Sequence, residues 1–161
     1  MRLLAIDPGT TESAWVVWDG ARILEFGKSD NGSVICALRE SAKYDHCCIE
    51  MVASFGMPVG AEVFETVYWI GRFAEAFSVV RVTRITRNEI KNHLCHSSRA
   101  KDSNIRQAII DRLGPIGTKK APGPCYGISG DVWSALAVAL TWWDKNHTVH
   151  REHGPLFEVK A

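Results

Sequence analysis

Asp19-Gly20 is the strongest turn signal in the chain, and it stands between two apolar runs. Asp-Gly flanked by strand-forming segments folds the backbone into a hairpin. Ser13–Trp18 (Ser-Ala-Trp-Val-Val-Trp) therefore reads as one strand and Arg22–Gly27 as its antiparallel return. Ahead of them, Arg2–Asp7 is a short apolar run that ends in a carboxylate, so three strands come first. This opening excludes an all-helical bundle.

The remaining segments predict helices alternating with buried strands. Ser33–Lys43 sets Val34, Ala37, Leu38 and Ser41 on one helical face, and Cys47-Cys48-Ile49-Glu50 follows as a strand. Pro58 opens a helix reaching Phe77. Val79–Ile85 has strand character and Asn88–Leu94 is a short helix. In the next helix, Asp102 or Ser103 caps, Ile105, Ala108, Ile109 and Leu113 form a stripe, and Gly114-Pro115 stops it. Lys119–Gly130 reads as a loop. Asp131–Trp143 is a last helix apolar on most faces, and residues 145–161 form a peripheral tail. The order βββ-α-β-α-β-α makes an α/β mixed sheet flanked by helices, in one domain.

Charge is unevenly distributed. The formal sum is +1, yet residues 81–120 hold ten Lys/Arg against three Asp/Glu, and the rest hold nine against fifteen. A basic segment beside an acidic remainder points to a polyanion partner. No apolar run approaches a membrane span, and the apolar start is broken at Asp7, too early for a signal peptide. Five irregularly spaced cysteines without a CxxC pair read as reduced thiols, which places the chain in a cytoplasm. The sequons at Asn31 and Asn146 carry no meaning there. Cys95 with His93 and His96 lacks the second ligand pair of a zinc site.

Three carboxylates sit where core residues would be expected: Asp7 before Pro8-Gly9-Thr10, Glu50 after Cys47-Cys48-Ile49, and Asp131 at the head of the last helix. Taken singly, Asp7 reads as a turn cap, Glu50 as an edge-strand charge and Asp131 as a helix N-cap. Taken together they form an oxygen-only set suited to Mg²⁺ or Mn²⁺, because acidic groups at a core edge need a partner.

Ile6-Asp7-Pro8-Gly9-Thr10, Ile49-Glu50 and Asp131-Val132-Trp133-Ser134-Ala135-Leu136-Ala137 resemble the RuvC Holliday-junction resolvases of the RNase H-like superfamily. Segments like Met57–Thr66 and Ala100–Gln107 recur in the phage-type members. The resemblance covers Met1 to about Trp143. It implies a five-stranded mixed sheet and a homodimer that cuts four-way or branched DNA junctions in the host cytoplasm, with Mg²⁺ or Mn²⁺ and no organic cofactor. Asp7 would bridge two metal ions, Glu50 would hold one and Asp131 would complete the site. The resolvases carry a second acid three positions after the Asp131 equivalent, where this chain has Ser134. Ser134 could hold a metal-bound water, and Asp102 could supply the missing charge.

The same resemblance gives the basic segment a role in gripping phosphates, through Arg84, Arg87, Lys91, Arg99, Lys101, Arg106, Lys119 and Lys120. For Arg106 and Arg112 a solvated helix face is an equal reading. Phe55 would stack on opened bases at the crossover, with ordinary packing under its loop as an equal reading. The helix 58–77, with Val63, Val67, Tyr68, Ile70 and Phe77, is the candidate dimer face, although plain core packing is the more usual fate of such a stripe. Two other functions stay open. A non-catalytic junction-binding module would explain Ser134 as decay. Asp7-Pro8-Gly9-Thr10-Thr11 also resembles the phosphate loop of actin-like ATPases, which need two such domains.

Overall fold

The computed structural model describes residues 1–54, 56, 58–78 and 81–147. β1 (Leu3–Asp7), β2 (Glu12–Trp18) and β3 (Ile23–Asp30) form an antiparallel meander. β4 (His46–Met51) lies parallel to β1 on its other side, and β5 (Val82–Thr86) lies parallel to β4. The sheet order is β3-β2-β1-β4-β5, the five-stranded mixed sheet expected from the chain. Parallel neighbours need crossover connections. α1 (Asn31–Arg39) and α2 (Ala61–Phe77) supply them.

Each face of the sheet carries its own core. Leu4, Ile6, Val17, Cys47 and Ile49 pack with Val34, Ile35 and Leu38 of α1 and Ile70, Phe73 and Phe77 of α2. The alternate residues Leu3, Ala5, Val16, Trp18 and Cys48 pack under α5 (Val132–His147). α3 (Arg87–Cys95) and α4 (Asp102–Leu113) close over α5 with Ile90, Ile105 and Ile109. Ala135 through Leu140 are fully buried because α5 is sandwiched between the sheet and these two helices.

Several boundaries move for local reasons. The β2–β3 link is a four-residue loop rather than a two-residue turn. The Asp19 carboxylate accepts hydrogen bonds from the Ala21 and Arg22 amides, and Gly20 takes φ +102°. α1 starts at Asn31, two residues early, because the Asp30 carboxylate accepts the Ser33 amide as an N-cap; it ends at Arg39, and Ser41–Lys43 is a 3₁₀ turn. α2 begins at Ala61 after Gly60, not at Pro58. β5 begins at Val82; residues 79 and 80 lie outside the described set. α3 gains a residue at each end, with Thr86 and Glu89 forming a capping box. α4 is capped by Lys101, whose amide donates to the Asn104 side chain, so neither Asp102 nor Ser103 is the cap.

The 119–130 segment is not wholly a loop: Lys119 and Lys120 form the tip of a small hairpin between β6 (Gly117–Thr118) and β7 (Ala121–Pro122). α5 extends to His147, so residues 145–147 are helix rather than tail; 148–161 lie outside the described residues. Trp143 packs on Gly20, where any Cβ would collide with its ring, and Trp142 stacks on His46. Among the described residues no helix is long and apolar enough to cross a membrane. Cys47, Cys48 and Cys125 are buried thiols, and no disulfide joins the five cysteines.

Candidate metal centre

The parallel pairing of β1 with β4 runs through Ile6 opposite Ile49, which brings Asp7 and Glu50 to neighbouring positions at the strand ends. Side chains alternate along a strand, so Asp7 follows Leu3 and Ala5, and Glu50 follows Cys48, all on the α5 face. β4 is an interior strand, and Glu50 is therefore no edge-strand charge. Above the pair stands the first turn of α5, with Asp131 just before it and Ser134 one turn in.

The Asp7 backbone is fixed by a buried polar knot. The Ser13 hydroxyl donates to Asn31 Oδ1 at 2.7 Å and accepts from the Gly9 amide at 3.2 Å, while Asn31 Nδ2 donates to the Gly9 carbonyl at 3.0 Å. Gly9 itself is obligatory, since a Cβ there would lie 2.3 Å from the Glu12 carbonyl. Asn31, which looks like an idle sequon in the sequence, is a fully enclosed strut of the Pro8-Gly9-Thr10 loop. Its partnership with residues 18 to 22 positions away left no local signal.

Crowding of like charges sets the electrostatics. The Asp7 carboxyl is pushed up to about 7, first by burial and next by the nearby Glu50, with Asp131 adding to the effect. Arg87 and, more weakly, the Ser134 side chain oppose it. Burial also raises Glu50, against the pull of Arg87. Two carboxyls held side by side in this way favour a cation between them.

Two basic residues draw the other oxygens outward. Arg87 Nη1 donates to Glu50 Oε2 at 3.2 Å and Nη2 to Asp102 Oδ1 at 2.5 Å. Its side chain is 27% exposed and that of Glu50 14%, whereas Asp102 is 80% exposed. Asp102 thus joins the cluster at the rim, held there by Arg87, and its charge adds to the rise of Glu50. The Asp131 carboxylate does not cap α5; it accepts from Lys28 Nζ of β3 at 2.8 Å. With Glu50 and Asp131 so engaged, no three His, Cys, Asp or Glu side chains among the described residues form a ready-made metal cage. The donor set nevertheless suits a hard divalent ion: Asp7 and Glu50 are adjacent, crowded and oxygen-only, with Ser134 and Asp131 overhead.

Beside these groups opens a cleft of about 700 Å³, walled by Arg87, Asp102, Arg106, Asp131, Trp133 and Ser134. The Arg106 guanidinium lies 5.0 Å from the centre of the Trp133 ring, a cation–π contact that braces it on the cleft wall. Lys101 and Arg99 are exposed just before α4, on the approach to the cleft. Lys91 is half-exposed on α3 and Arg84 exposed on the outer strand β5. Arg112 is committed elsewhere, in a two-pronged pair with Asp144 at 2.5 and 2.7 Å. Lys119 and Lys120 are not brought into the cleft. Their hairpin is rooted beside Leu113 and Pro124, which meet Trp18 and Ile23 at the end of the sheet opposite Asp7. Phe55 lies outside the described residues.

Lys28 is a site residue that the sequence alone does not single out. Nothing near Phe26-Gly27-Lys28 marks it; only the sheet register carries it toward Asp131.

Compared with solved structures, the chain is similar to the Thermus thermophilus RuvC structure, with a TM-score of 0.66 and 20% identity over 90% of this chain and 95% of that one. The chain has the RuvC fold. T. thermophilus RuvC in complex with Holliday junction substrate superposes similarly, with a TM-score of 0.65 and 20% identity over 88% of this chain and 92% of that chain. No protein-family model matches the sequence, and a search of curated proteins finds no match either. The RuvC fold thus agrees with the resemblance read from the Asp-Pro-Gly, Ile-Glu and Asp131–Ala137 segments.

Proposed function

We propose that the chain is a divalent-metal-dependent endonuclease that resolves four-way or branched DNA junctions. One observation carries the reading: Asp7 and Glu50 stand side by side under the Asp131–Ser134 turn of α5, at the edge of an open cleft walled by Arg87 and Arg106. Anionic ligands for a metal and cationic groups for phosphate adjoin, as phosphodiester hydrolysis requires. The solved RuvC bound to Holliday junction substrate supports a branched substrate for the same fold.

Asp7 and Glu50 would hold Mg²⁺ or Mn²⁺, with Asp131 swinging in from the head of α5. Once bound, the cation supplies Lewis acidity to the phosphodiester and activation of the attacking water. Ser134, one turn into α5, faces the Asp7 carboxyl and lowers its proton affinity. Arg106, braced on Trp133, and Lys101 and Arg99 at the mouth grip backbone phosphates and orient the strand. Lys91 and Arg84 extend that path; Lys119 and Lys120, at the far end, would meet only a remote arm of the substrate. Phe55 stays the candidate for stacking on opened bases.

α2 supports the homodimer. Ile70, Phe73 and Phe77 are spent on the core, but Phe64, Val67 and Tyr68 remain exposed in a patch that a second protomer would cover. Two protomers would set two sites in fixed relation for paired cuts.

The test is incubation with a synthetic four-way junction, a flap and a linear duplex, with and without Mg²⁺ or Mn²⁺. Metal-dependent nicking of the junction, by a complex sedimenting as two protomers per junction, is expected. Binding without cleavage on every substrate would instead favour the non-catalytic module. A one-to-one complex would remove the dimer. Lys101→Ala is expected to weaken junction binding and to reduce the slope of log affinity against log salt by about one. An unchanged slope would take Lys101 off the DNA path.

A further inference from the structure

Asp7, Ala14 and Lys28 occupy one row across three neighbouring strands, since Asp7 pairs with Ala14 and Ala14 with Lys28. Two strand spacings, roughly 10 Å, separate the two ends of that row. The residue between them is small and buried, so nothing rises from the sheet to block a long side chain. Lys28 uses that gap. Its ammonium sits 2.8 Å from Asp131 Oδ2 and 3.7 Å from Glu12 Oε2, a cation set between two carboxylates. Both members of the Asp131 pair are well exposed, Lys28 at 44% and Asp131 at 58%, so the pair is weak enough to exchange.

We propose that Lys28 is a built-in counter-cation for Asp131, holding this carboxylate away from Asp7 and Glu50 until a divalent ion competes for it, and so setting the metal threshold of the centre. This rests on the reading of the carboxylate cluster as a metal centre. The charges argue for it. Of the three carboxyl groups Asp7, Glu50 and Asp131, Glu50 is paired with Arg87 and Asp131 with Lys28. Arg87 is the less exposed of the two cations and holds its partners with a rigid planar fork, whereas Lys28 reaches Asp131 and Glu12 with a flexible point charge. Lys28 is therefore the cation that yields. It is a positioning residue: it acts on the ion through Asp131.

A merely structural lysine would weaken metal binding when lost; a competitor would strengthen it. The test is Mn²⁺ titration of the full chain without DNA, followed by the electron paramagnetic resonance signal of free Mn²⁺. Lys28→Gln is expected to bind Mn²⁺ about five-fold more tightly than the wild type, the scale of an exposed ion pair. Lys28→Arg, which keeps the charge, should match the wild type. In an Asp131→Asn background the Lys28→Gln gain should vanish. Equal or weaker binding by Lys28→Gln, with wild-type binding that still depends on Asp7, would overturn the proposal and leave the metal centre standing. Absence of any Asp7-dependent Mn²⁺ binding would overturn both.

Discussion

Asp7→Asn is expected to abolish metal-dependent cutting while making the metal-free protein more stable at pH 8. The two effects share one cause. The native carboxyl is raised from 3.8 to about 7, so the folded state holds this proton more tightly than the unfolded chain does. The contribution from Asp7 is therefore fully present below pH 4, declines as pH rises toward 7, and is lost above it. A displacement of about three units corresponds to an upper bound of about 4 kcal/mol. Asn carries no charge to repel Glu50 and Asp131, so a gain of about 2 kcal/mol at pH 8, shrinking toward zero near pH 4, is the expected difference. Urea denaturation in EDTA at both pH values measures it. Added Mg²⁺ should raise the melting temperature of the wild type but not of the variant. An Asp7→Asn protein less stable than wild type at pH 8 would show that the carboxylate is a structural partner instead.

Arg87→Met should act in the opposite direction. Arg87 is the counter-charge of partly buried Glu50 and also lowers the proton affinity of Asp7. Losing one partner of a buried pair leaves an uncompensated charge, at a cost of about 3–5 kcal/mol when burial is complete. With Arg87 at 27% and Glu50 at 14% exposure, about 2–3 kcal/mol is expected here. Without the guanidinium both carboxyls take up protons at higher pH, so the penalty is greatest at pH 8 and falls as the solution is acidified through their raised values. The same loss at pH 8 and pH 5 would mean that the methylenes of Arg87 matter and its charge does not. Adding Asp7→Asn should recover part of the loss, because the two residues share Glu50.

The architecture was legible because it rests on short-range signals. Asp19-Gly20 announces the meander, and apolar runs ending in Asp7 and Glu50 announce strands with carboxylates at their tips. Asp131 is visible as an acid at the head of an otherwise apolar helix. What escaped depends on register between segments far apart in the chain. Lys28 meets Asp131 across 103 positions and Arg87 meets Glu50 across 37, and neither pair leaves a periodic trace. The basic segment was legible as a charge total but not as a surface. Its cations scatter: Arg106 goes to the cleft wall, Arg112 to an ion pair with Asp144, Arg87 to a bridge with Glu50, Arg81 to the Tyr44 carbonyl, and Lys119 and Lys120 to a hairpin at the far end of the sheet. The two-residue strands of that hairpin are too short to alternate, which hid them.

The position of β3 gives Lys28 a second consequence. β3 closes one side of the sheet, and an outermost strand offers a row of backbone groups onto which a stray chain can add. Phe26 is exposed on that strand, and such an apolar residue would encourage the addition. Glu25 and Lys28, one on either side of Phe26-Gly27, are charges of opposite sign that an incoming strand would have to desolvate. A variant lacking the Lys28 charge gains metal affinity but gives up one of these guards, so its solubility at high concentration should fall with it.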